Sequence, residues 1–73
     1  MLHYEITVEG HLHPNRLKQF EGFEAAFLPD GQTRLTGGLP DQAALFSVLN
    51  RIRDMNLPLI SVARQAHFKE ETP

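Results

Sequence analysis

Glu9, His11 and His13 stand two residues apart in the segment EGHLH, and all three side chains can bind a metal or carry a proton. A strand projects every second residue from one face, so an extended chain would set them side by side. Such an H-x-H pair holds a transition metal once a third ligand converges on it. His3 and His67, near the two ends of the chain, would meet if the first and last strands paired antiparallel. Against a metal, no fixed ligand spacing such as H-E-x-x-H is present, and Pro14 interrupts the strand before His13 can align. The histidines are read as solvated residues of an exposed sheet face, and neither a metal nor another cofactor is expected.

Glu5 and Glu9 invite a second chemistry, since a carboxylate on a half-buried sheet can act as a general base. Arg34, expected on a neighbouring parallel strand, would favour the charged carboxylate, so a cross-strand Glu–Arg pair is the simpler account. No nucleophile and base can be paired from the sequence. The loop TGGLPDQ places two glycines before a helix start, an arrangement that attracts anions. It lacks the lysine of a phosphate loop, and Asp41 would repel an anion, so it is a turn.

The elements that position these side chains follow from periodicity. Leu2, Tyr4, Ile6, Val8 and Leu12 occupy even positions, with His3, Glu5, Thr7, Glu9 and His11 between them, the pattern of a strand with one buried face. Gly10 interrupts the even row and marks a bulge or a close backbone approach. In HPNRLKQFEG, Pro14 opens a short helix, Leu17 and Phe20 share its inner face, and Gly22 closes it. A hairpin turns at Pro29, Asp30 and Gly31. Its inner row is Phe23, Ala25, Phe27 and Leu35, and its outer row Glu24, Ala26, Leu28, Arg34 and Thr36. Asp41 caps a second helix whose stripe is Leu45, Val48, Leu49, Ile52 and Met55, and Asn56 with Pro58 ends it. The last strand sets Ile60, Val62, Ala66 and Phe68 on one face, with Leu59, Ser61, Ala63, Gln65 and His67 on the other.

This order, βαββαβ with a short first helix, predicts an α+β, ferredoxin-like two-layer sandwich with strand order 4-1-3-2. One domain is expected over residues 1–68, with a disordered tail over 69–73. The expected core is Ile6, Val8, Phe23, Phe27, Leu35, Leu45, Leu49, Ile52, Ile60 and Val62. Both helices would cover one sheet face and leave the other open.

With these residues in place, the chain resembles a group of small bacterial proteins, about seventy residues long, that carry no assigned function. The likeness lies in YEITVEGHL, in PDG before a strand, and above all in DQAALFSVLNRIRDMNLPLISV. It implies a self-contained domain and hands over no catalytic residues.

Composition bounds the partners. A net charge of −2 over 73 residues offers no general grip on nucleic acid. An RNA-recognition sheet would need aromatics on its open face, where this chain has glutamates. No apolar run is long enough for a membrane span, and the first residues do not read as a signal peptide. The chain has no cysteine, which fits a reducing, cytoplasmic setting. A domain this small is marginal alone, so a homodimer is expected. The function expected is a non-catalytic association or ligand-sensing module. The alternative is a small enzyme or metal-binding protein using the open face around His3, Glu5, His11 and His67. The candidate ligand or interface face comprises those four residues with Thr7, Glu9 and Ala26. Leu28, Arg34 and Ser61 complete it. As a dimer interface this face is preferred to the strand edges, with a further protein or small-molecule partner left open.

Overall fold

The structure, a computed structural model, describes residues 1–20 and 22–65. The chain forms β1 (Leu2–Glu9), a single α-helical turn α1 (Pro14–Leu17) continued by a 3-10 turn (Lys18–Phe20), β2 (Glu24–Phe27), β3 (Gln32–Leu39), α2 (Gln42–Asp54) and β4 (Leu59–Gln65). It is an α+β domain with one four-stranded sheet in the order β2-β3-β1-β4. Every neighbouring pair is antiparallel. Arg34 therefore lies on an antiparallel strand beside β1, not on a parallel one.

The first helix is shorter than a two-helix layer needs. His13 caps α1, its Nδ1 accepting from the Asn15 amide at 3.1 Å, and Pro14 takes the first helical position. The α-helical geometry then gives way to the 3-10 turn, which buries Phe20. α2 is capped at both ends. Asp41 Oδ1 accepts from the Ala44 amide at 2.9 Å, satisfying a donor that the helix itself leaves unpaired. At the other end Asn56 adopts φ 58°, with Asn56 N donating to Arg53 O at 2.9 Å and Leu57 N to Ile52 O at 3.2 Å. These two bonds make a Schellman motif.

The hairpin turns as its residues predict. Gly31 N donates to Leu28 O at 3.1 Å around Pro29 and Asp30, and Gly31 takes φ 88°. β2 ends at Phe27, so Leu28 belongs to this turn and not to the outer row of a strand. After β1, Gly10 at φ 89° redirects the chain, and the buried Thr33 holds it by donating from Oγ1 to Gly10 O at 2.6 Å.

The core lies between the sheet centre and α2: Tyr4, Ile6 and Val8 of β1, Leu35 and Leu39 of β3, and Leu45, Val48 and Ile52 of α2, closed at one end by Leu12 and Phe20. Phe23 and Leu49 pack on its margin, partly buried. Three expected members lie outside it. Phe27, Ile60 and Val62 are 54%, 44% and 37% exposed. The reason is coverage: one long helix spans the two central strands, and a single α-helical turn cannot extend the layer over both edges. Strand pairing also differs from strict alternation. The β1–β4 register shifts between Thr7 and Val8, which brings Leu59, not Ile60, opposite Val8. Among the described residues no helix is long and apolar enough to cross a membrane.

Candidate functional site

The open face is built from the odd positions of β1 and their neighbours. His3 stands between Gly38 and Gln65, Glu5 between Thr36 and Ala63, and Thr7 between Arg34 and Ser61. Ala26 of β2 faces Arg34 from the far side. Directly opposed residues share a face, so His3, Glu5, Thr7, Ala26, Arg34 and Ser61 lie on one face of the sheet.

Two of these side chains pair within the face. Arg34 Nε lies 3.4 Å from Glu5 Oε2, a diagonal ion pair across β1 and β3 in which both side chains keep partial contact with water. A pair of this kind contributes at most about 1 kcal/mol. Thr7, between them, is buried although it lies on the uncovered side. Gly38 leaves room for its neighbours, since a Cβ there would stand 2.6 Å from the Met1 sulfur and 3.2 Å from His3 Cε1.

The aligned Glu9, His11 and His13 do not form. β1 ends at Glu9, and the turn at Gly10 carries His11 away from that face toward the hairpin. There the His11 ring stacks on Phe27 with centroids 4.9 Å apart. Its Nε2 lies 3.1 Å from Leu28 O. A carbonyl only accepts, so Nε2 carries the proton in this bond. His13 is occupied as the cap of α1. Among the described residues no group of three or more His, Cys, Asp or Glu side chains is placed to hold a metal. His67, with its expected approach to His3, lies outside the described residues.

Two features had no signal in the sequence. One is a cleft of about 470 Å³ between the 3-10 turn and α2, with Phe20, Phe23, Leu39 and Val48 in its lining and Lys18 and Arg51 among its polar residues. Arg51 is tied across it, donating to Gln19 O at 2.6 Å. The other is the Tyr4 hydroxyl, which is buried with no hydrogen-bond partner among the described residues. Residues from separate elements make the first, and a neighbour that is missing makes the second. Neither can be read from spacing.

Residues 3–63 match the model of a family described as a domain of unknown function, DUF8691. No curated protein and no solved structure matches the chain. The family match runs from His3 in β1 to Ala63 in β4 and so takes in every strand and both helices. The chain belongs to the DUF8691 family of domains of unknown function.

Proposed function

We propose that this domain is a non-catalytic association module that works as a homodimer. The observation that carries the proposal is the condition of β4: all seven residues of this strand are exposed, including Leu59, Ile60 and Val62. An apolar strand left open on a domain this small is surface that a partner stabilises by covering. The pairing of Glu5 with Arg34 and the dispersal of the histidines support a role without catalysis.

Two finer statements belong to the same proposal. The strand order, 4-1-3-2 when taken from the β4 edge, supports a ferredoxin-like fold in which the first helix is reduced to a turn. The absence of cysteine from the chain supports a cytoplasmic setting. Sedimentation equilibrium at micromolar concentration tests the association. The expected mass is twice 8.3 kDa, and a mass of 8.3 kDa throughout refutes it.

A further inference from the structure

The two edges of the sheet are unequal. β2 is four residues long, begins with Glu24 and is tied into a tight hairpin. β4 is seven residues long, contains no proline or lysine, and carries one charge, Arg64. Proteins blunt an edge that must stay unpaired with short length, charge or proline, and β4 has little of that protection.

The side of α2 nearest β4 carries apolar residues too, set among Gln42 and Arg53. α2 turns its Ala44, Ser47 and Arg51 flank to the 3-10 turn. By helical geometry Phe46 and Leu49 lie on the other flank, toward β4. Phe46 is 59% exposed. Val62 and Arg64 lie opposite Ile6 and Tyr4, hence on this same face of the sheet.

We infer that two copies of the chain pair antiparallel along β4, joining two four-stranded sheets into one, with the α2 helices side by side on one face. This rests on the association reading above and names its surface. A two-fold axis normal to the sheet near Val62 keeps both helices on the same side and brings Val62, Phe46 and Leu49 of each copy toward their counterparts. It also sets Arg64 of one copy beside the start of β4 in the other, on the side where α2 ends at Asp54. The Arg64 side chain has no hydrogen bond or ion pair among the described residues. The C-terminal pole of α2 attracts a guanidinium, although Asp54 there is already held by Arg53 at 3.2 Å. A standard interface takes about 800 Å² from each partner, about a sixth of the 4740 Å² this domain exposes. An exposed strand and the Phe46 and Leu49 flank of α2 lie together there to supply it. This edge replaces the open face as the preferred interface, because the ion pair of Glu5 and Arg34 would be costly to bury.

Introduced cysteines are the only thiols in this chain, so single spin labels report the geometry. Ala63→Cys and Ala26→Cys change exposed positions. In the edge-paired dimer the Ala63 positions lie on adjacent strands, within about 15 Å, and the Ala26 positions are seven strand steps apart, about 34 Å. Val62→Lys, also at an exposed position, is expected to keep the circular dichroism of the parent and weaken association at least tenfold. A dimer whose Ala26 labels lie within about 20 Å places the sheets face to face; that overturns this inference and leaves association standing. A Val62→Lys variant that dimerises like the parent overturns it too. A parent chain that stays monomeric overturns both.

Discussion

β3 and β4 flank the same strand, and Ile6 has Leu35 opposite it on one side and Val62 on the other. Yet Leu35 is 1% exposed and Val62 37%. By composition β4, LISVARQ, is the more apolar strand, and β3, QTRLTGGL, contains two glycines and four polar residues before them. The less apolar strand is the buried one. A strand's burial is set by what lies over it, and α2 lies over β3 and β1. The apolar residues of β4 are then surplus to the core of one chain, which is why the strand is better explained by a partner than by its own fold.

The sharpest way to break this comparison is to truncate both neighbours of Ile6. Leu35→Ala is expected to cost about 2–5 kcal/mol in urea unfolding, because a fully packed side chain leaves a cavity. Val62→Ala, measured in dilute protein, is expected to cost under about 1 kcal/mol. Equal costs would mean that β4 is covered after all. Truncating Ile52 on α2 belongs with Leu35 and is expected to cost about 2–5 kcal/mol.

A smaller effect concerns the helix that makes the difference. Asp41→Ala removes the acceptor for the Ala44 amide and is expected to cost about 1 kcal/mol, seen as a lowered midpoint of denaturation. Tyr4→Phe runs the other way. The buried hydroxyl of Tyr4 has no hydrogen-bond partner among the described residues, and deleting it is expected to raise stability by about 1 kcal/mol. A loss of stability instead would show that the hydroxyl has a partner in solution. The least effect belongs to the open face. Glu5→Gln is expected to change stability by less than about 1 kcal/mol, a difference that shrinks as salt is raised.

Much of this architecture is legible in the chain because its signals are local. Alternation places β1, and Tyr4, Ile6 and Val8 point inward as the period requires. Pro29, Asp30 and Gly31 make their turn, and Asp41 and Asn56 bound α2, through bonds to amides and carbonyls a few residues away. The Glu5–Arg34 pair was also within reach, although the expected strand direction was not the one that forms.

What escaped depends on distant parts of the chain. Strict alternation in LPLISVARQ gives no sign of the bulge that puts Leu59 opposite Val8, since the bulge is set by pairing with β1 and by Glu9 N donating to Pro58 O at 2.9 Å. Gly10 marks a departure from the strand, but that its carbonyl is held by Thr33, far along the sequence, has no local sign. Phe27 and Val62 carry the same apolar signal as Leu35. Hydrophobicity states which side chains gain from leaving water, while the position of one helix over two strands selects which of them can. Backbone conformation was local and therefore readable; coverage was collective, and it was settled when α2 packed across the centre of the sheet.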